Sequence, residues 1–159
     1  KDRGYSVMRF NFRGVGRSQG VYDQGIGELS DAASALDWMQ TYNANARATW
    51  VAGYSFGSWI GMQLLMRRPE IDGFVCVAPP ASEYDFTFLA PCPSSGLMIH
   101  GTQDSNIPLA SVNKLADKLN SQKGIEVDLR TIDGADHYFA KQQDDVIKHT
   151  AAYLEKRGA

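Results

Sequence analysis

Gly53-Tyr54-Ser55-Phe56-Gly57 is the stretch on which the reading of this chain turns. Before it, Thr49 to Tyr54 reads as a strand. After it, Phe56 to Arg68 carries Ile60, Leu64 and Leu65, reads as a buried helix, and ends before Pro69. G-x-S-x-G between a strand and a helix is the context of a nucleophile elbow. A sharp turn there strains the serine backbone and exposes its hydroxyl. Side chains two residues to either side would collide, so the sequence predicts that both glycines are sterically required. Ser55 also stands at a helix N-terminus, where the dipole and free amides favour developing negative charge. The amide of Phe56 is the expected oxyanion donor. The competing reading is a plain small-residue turn where strand and helix pack closely.

Outward from the elbow, strands and helices alternate. Tyr5 to Phe12 reads as a strand, with Met8, Phe10 and Phe12 alternating with Arg9 and Asn11. A glycine-rich loop, Arg13 to Gly20, follows. The next helix is predicted from Gly27 to Met39, with Ile26, Leu29, Ala33, Leu36 and Met39 as a stripe facing a sheet. Gly73 to Ala78 and Gly96 to His100 are continuous apolar runs, as in strands covered on both faces. Between them, Ala78 to Ser95 reads as a loop rich in Pro and Ser with one short helix. Pro108 is placed in the first turn of a helix presenting Val112, Leu115, Ala116 and Leu119. Val127 and Leu129 alternate with Asp128 and Arg130, a half-exposed strand near a sheet edge. The last helix, Asp144 to Lys156, aligns Val146, Thr150 and Tyr153. The pattern predicts an α/β fold: a mostly parallel, doubly wound sheet with helices on both faces, in a single domain spanning 1–159. Reactive loops in such sheets lie at the carboxyl ends of the strands.

A serine nucleophile needs a base, and the base needs an orienting acid. The chain has three histidines. His100 lies in or at the end of an apolar strand, where packing is its ordinary role. His149 lies on the last helix, away from any strand end. His137, in Gly134-Ala135-Asp136-His137-Tyr138-Phe139, follows the last strand and is the candidate base. Asp104, in His100-Gly101-Thr102-Gln103-Asp104, is the candidate acid, with helix capping as its other possible role. Asp133 and Asp136, on the histidine loop, and Asp85 are alternatives. The order Ser55, Asp104, His137 is one of the known chain orders of a serine triad.

Composition excludes several other classes. Sixteen Lys and Arg against 18 Asp and Glu give a net charge of −2, which argues against a basic nucleic-acid-binding face. No apolar run approaches the ~20 residues of a membrane helix. Cys76 and Cys92 form no disulfide framework and no zinc spacing, and the chemistry calls for no metal or organic cofactor. Gly14, Gly16 and Gly20 follow a strand, but the third glycine is one residue late for a dinucleotide fingerprint and no helix opens directly after it. Cys76 lies mid-strand, the place of a small buried hydrophobe. With no signal peptide visible, the cytoplasm is the expected compartment.

Taken together, four segments resemble the α/β-hydrolase superfamily: Asn11-Phe12-Arg13-Gly14-Val15-Gly16-Arg17-Ser18, the elbow at Ser55, the Gly101 to Pro108 acid loop and the Gly134 to Phe139 histidine loop. The likeness is greatest to small, lidless bacterial hydrolases near the dienelactone-hydrolase branch. Those name-giving enzymes use Cys as nucleophile where this chain has Ser55. The resemblance therefore implies a carboxylesterase-like serine hydrolase, cleaving an ester or related acyl bond of a small-molecule substrate through an acyl-enzyme. A catalytically silent member of the fold, acting as a binding or scaffold protein, is the alternative. The resemblance also implies that about 50 residues precede this chain, one βαβ unit and a hairpin. They would include the loop giving the second oxyanion donor and a strand lying between Tyr5–Phe12 and Thr49–Tyr54. On that reading residues 1–159 alone are poorly soluble and inactive. Ala78 to Gly96 is too short for a cap domain. Pro79, Pro80, Tyr84, Phe86 and Phe88 are candidates either to line an open pocket or to form a satellite core.

Overall fold

Eight elements follow one another in the computed structural model, which describes residues 3–158: α1 (Ile26–Tyr42), β1 (Trp50–Tyr54), α2 (Phe56–Arg67), β2 (Gly73–Val77), β3 (Gly96–Gly101), α3 (Leu109–Asn120), β4 (Val127–Ile132) and α4 (Gln143–Lys156). The chain divides into two compact units, residues 1–47 and residues 48–159.

The second unit holds the sheet. Its four strands lie in the order β1-β2-β3-β4, all parallel, with Gly53 opposite Cys76, Val75 opposite Leu97 and Gly101 opposite Ile132. Every residue of β3 is buried. Successive side chains of a strand point to opposite faces, so both faces must be covered. On one face Val75, Leu97, Ile99 and Ile132 pack with Ala135, Phe139 and Tyr153 of α4, flanked by Trp50, Val77 and Val146. The other face carries Phe74, Met98 and His100, none of them exposed. Helix α2 packs on β1 and β2, and α3 on β3 and β4. Right-handed crossovers of the same sense put both of these helices on one side. Each fully buried Leu, Ile or Phe contributes about 1.5–3 kcal/mol, so this two-sided burial is the main support of the sheet.

Helix α3 buries Val112, Leu115, Ala116 and Leu119, the stripe read from the sequence. Pro108 stands one position earlier than expected, at the N-cap, with φ −58°. Strand β4 ends the sheet order, consistent with its half-exposed pattern. The short helix expected between Ala78 and Ser95 is a series of turns, held by bonds such as Tyr84 N–H to the Pro80 carbonyl at 3.0 Å.

In the first unit the expected Tyr5–Phe12 strand is absent. The segment forms no ladder, and Val7, Met8 and Phe10 are exposed. A strand needs a neighbour for its backbone groups, and among the described residues of this unit there is none. The stripe on α1 is also corrected. Leu29 is buried, but Ile26 is 77% exposed, and the carboxylate residue Glu28 is buried instead. Glu28 accepts the amides of Asp23 and Gly25, both at 2.8 Å, satisfying the N-cap backbone at the start of α1, while Gly25 has no side chain to return a bond. The glycine loop is tied to the same helix by Arg13, whose guanidinium and backbone N–H bond the Asp31 carboxylate at 2.8–3.3 Å.

Candidate active site

Ser55 occupies the turn between β1 and α2 with φ 49° and ψ −123°, a positive φ rarely adopted by a non-glycine residue. The turn is fixed from both sides. Ser55 N–H donates to the Val77 carbonyl at the end of β2 (2.8 Å), and the Ser55 carbonyl accepts from Ser58 N–H (2.9 Å) and Ser58 Oγ (2.6 Å). The two flanking glycines differ, contrary to the expectation from the motif. A Cβ on Gly53 would fall on the backbone of Gly57 and the Cα of Ser58, whereas a Cβ on Gly57 meets nothing within 4 Å. Gly53 is required by close packing of strand against helix, and Gly57 is not. Phe56 opens α2 directly after the serine.

The three residues singled out at strand ends come together here, all within the second unit. Ser55 Oγ lies 3.0 Å from His137 Nε2, and His137 Nδ1 lies 2.7 Å from Asp104 Oδ2. His137 and Asp104 are nearly buried, at 8% and 9% exposure. Asp104 Oδ1 accepts the amides of Asn106 (2.9 Å) and Ile107 (2.8 Å). Burial works against the Asp104 carboxylate, but the Ile107 amide, His137 and the Asn106 amide outweigh it and hold its pKa below the usual value. An ionised Asp104 can only accept, so Nδ1 of His137 carries the proton and Nε2 is left to accept from the Ser55 hydroxyl.

The loops after β3 and β4 are laced to each other. Gln103 N–H donates to the Ala135 carbonyl (3.0 Å) and Thr102 N–H to that of Ile132 (3.1 Å). Thr102 Oγ1 donates to Asp133 (3.1 Å) and accepts from Gly134 N–H (2.9 Å). A Cβ on Gly101 would fall on the Ala135 carbonyl, so the acid loop can lie this close to the histidine loop only because that residue is glycine.

The other candidates have other occupations. Asp133 holds Thr102, Asp136 accepts Tyr138 N–H (3.0 Å), and Asp85 accepts Thr87 N–H (2.8 Å). His149 lies 3.4 Å from Arg130. His100 is fully buried with Nε2 on the Ile107 carbonyl (2.8 Å). Cys76 is buried in β2, and burial pushes its thiol far above the ordinary range. Two further residues at the site escape a reading of the sequence. Tyr54 donates its hydroxyl to the His137 carbonyl (2.9 Å), and burial, with nearby Tyr138, Asp104 and Asp136, raises its pKa. Ile107 bonds both Asp104 and His100 through its backbone. The signal for Tyr54 is its place beside the serine, where a residue with an apolar ring and a polar tip can reach across the strand ends.

Of the proposed pocket residues, Pro79, Pro80 and Phe86 are buried. Tyr84 is half-buried and packs its ring against Phe56 (5.8 Å) and Trp59 (4.5 Å), beside the serine turn. Among the described residues no group of three or more His, Cys, Asp or Glu is arranged to hold a metal ion, and no helix is long and apolar enough to cross a membrane.

A parallel α/β sheet with a serine at a strand-to-helix turn, and a histidine and a carboxylate on the loops of later strands, is the architecture of a large hydrolase class. The comparisons agree. The prolyl oligopeptidase family matches residues 78–157, and the serine aminopeptidase S33 family matches residues 1–92. A protein of unknown function from Agrobacterium tumefaciens, described as an α/β hydrolase, is 56% identical, with a TM-score of 0.94 over 98% of this chain and 72% of that one. An α/β serine hydrolase homologue from Coxiella burnetii is 31% identical, with a TM-score of 0.83 over 92% of this chain and 67% of that one. An uncharacterized protein of Rickettsia prowazekii (strain Madrid E) is 48% identical over 157 residues. This chain spans 66% of that protein's length. The chain belongs to the α/β-hydrolase superfamily.

Proposed function

We propose that the protein is a serine hydrolase that cleaves an ester or related acyl bond of a small molecule through an acyl-enzyme. The observation that supports this reading is the unbroken chain of hydrogen-bond distances from Ser55 Oγ through His137 to Asp104, 3.0 and 2.7 Å. In this reading His137 Nε2 takes the Ser55 proton as Oγ attacks the acyl carbonyl. Asp104 stabilises the resulting imidazolium and keeps the ring oriented. The amide of Phe56, at the start of α2, donates to the oxyanion. His137 then returns the proton to the leaving group, and a water activated by the same nitrogen releases the acid. The segment between β2 and β3 is a short series of turns, and Tyr84 and Phe56 pack ring to ring beside the serine turn.

Both matching family descriptions refer to peptidases, and amide cleavage would use the same steps. The test is a panel of p-nitrophenyl esters of increasing acyl length, with aminoacyl p-nitroanilides as the amide arm, on the full-length protein. Ester turnover that is lost in Ser55→Ala is the expected result. Turnover of the anilides alone would move the proposal to a peptidase, and turnover unchanged in Ser55→Ala would end it.

A further inference from the structure

His100 has no part in the hydrogen-bond chain just described, yet it stands directly behind it. It is the one titratable side chain inside β3, and it is fully buried on a face otherwise filled by residues such as Phe74 and Met98. An aliphatic residue would fill such a site without bringing a polar ring out of water. The Ile107 carbonyl can only accept, so the 2.8 Å contact fixes the proton of His100 on Nε2. The other nitrogen, Nδ1, is buried and has no partner among the described residues. Among the described residues, the hydrogen bond of the ring is thus that of Nε2–H.

That bond spans the loop carrying the acid. Ile107 is engaged through both of its backbone groups, its N–H by Asp104 Oδ1 (2.8 Å) and its carbonyl by His100 Nε2 (2.8 Å). The same Nε2 lies 3.5 Å from Asp104 Oδ2, the oxygen that meets His137 at 2.7 Å. Asp104 Oδ2 therefore sits between two imidazoles, one at bonding distance and one just beyond it.

We propose that His100 is a positioning residue, its Nε2–H clamping the Ile107 carbonyl so that the 101–107 loop presents Asp104 to His137. The inference rests on the proposed hydrolase reading for its kinetic consequence, but not for its geometry. Without the clamp the Ile107 and Asn106 amides that orient Oδ1 are free to shift, and the Asp104–His137 contact loosens. Misplacement of a catalytic group by about 1 Å costs on the order of 100-fold in rate.

Three variants of the full-length protein separate this role from packing. His100→Gln keeps an N–H at the reach of Nε2, His100→Asn keeps an amide that is too short, and His100→Leu keeps the volume without a donor. The readouts are kcat and KM on the ester substrate and the low-field proton resonance of His137 Nδ1–H, which reports the bond to Asp104 whether or not the protein turns over. The expected result is retention of the resonance and most of kcat in His100→Gln. In His100→Asn and His100→Leu the resonance is lost or shifted and kcat falls by roughly 100-fold with KM little changed. Full kcat and an unchanged resonance in His100→Leu would overturn the proposal, as would equal losses in folded His100→Gln and His100→Asn. If the wild type turns over neither ester nor anilide, the hydrolase reading fails, while the resonance still decides the role of His100. If His100→Leu does not fold, the Gln and Asn pair decides alone.

Discussion

At the scale of single residues, the identity of the acid is the sharpest question, because four aspartates lie near the strand ends. Asp104 is set apart by what faces it: two backbone amides on Oδ1 and the His137 ring on Oδ2. Asp133 and Asp136 are engaged in shaping their own loop. Asp104→Asn is expected to lower kcat by about 10⁴, because an amide favours the wrong imidazole tautomer. Asp133→Asn and Asp136→Asn should change it little, and kinetics on the three variants checks this. Tyr54→Phe deletes the bond to the His137 carbonyl, and is expected to lower stability by about 1 kcal/mol in chemical denaturation, with a smaller effect on rate than Asp104→Asn. The candidacy of Ser55, Asp104 and His137 is legible in the sequence because each follows a recognisable strand. The contacts of Tyr54 and His100 are not, since each depends on which backbone carbonyl the fold brings to it, that of His137 on a distant loop for Tyr54 and that of Ile107 on the adjoining loop for His100.

At the scale of elements, the turn between β1 and α2 carries the argument. The motif suggests two equivalent glycines, but the packing distinguishes them: only at Gly53 would a Cβ meet backbone of the opposing element. Gly53→Ala is expected to destabilise the second unit and to displace Ser55. Gly57→Ala should be tolerated, and as a helix residue with open space it should gain up to about 1 kcal/mol. Thermal melting of the two variants, side by side, tests the distinction. Runs buried on two faces, such as Gly73–Val77 and Gly96–Gly101, are legible because a short strand with no polar side must be covered on both. Tyr5–Phe12 has an equally good alternating pattern, yet it is not a strand. Alternation expresses a capacity for pairing, and pairing depends on a neighbour that the segment's own sequence does not specify. Helix α1 misleads for a different reason. Its Glu28 is buried by capping demands at the helix start, which a periodic apolar stripe does not express.

At the scale of the whole molecule, buried and paired carboxylates set the response to acid. The pKa of Asp104 is lowered as described. Burial opposes ionisation of Glu28, but its amide partners and Arg13 win, and Asp31 is lowered first by its bond to Arg13. Each such group has a native pKa below its unfolded value. Its contribution to stability is therefore complete above about pH 4–5 and is lost as pH falls through the native pKa. Denaturant midpoints should be flat from neutral pH down to about 5 and fall steadily below about 4, with a shallower fall in Asp104→Asn.

The central claim is that Ser55 is an activated nucleophile, and one measurement addresses it without requiring the substrate. The full-length protein is treated with a fluorophosphonate, digested, and mapped by mass spectrometry. A single phosphonyl adduct is expected, on the peptide containing Ser55. The adduct should be absent in Ser55→Ala and formed at least about 10³-fold more slowly in His137→Ala. A folded protein whose Ser55 stays unmodified, or is modified no faster than its surface serines, would contradict it.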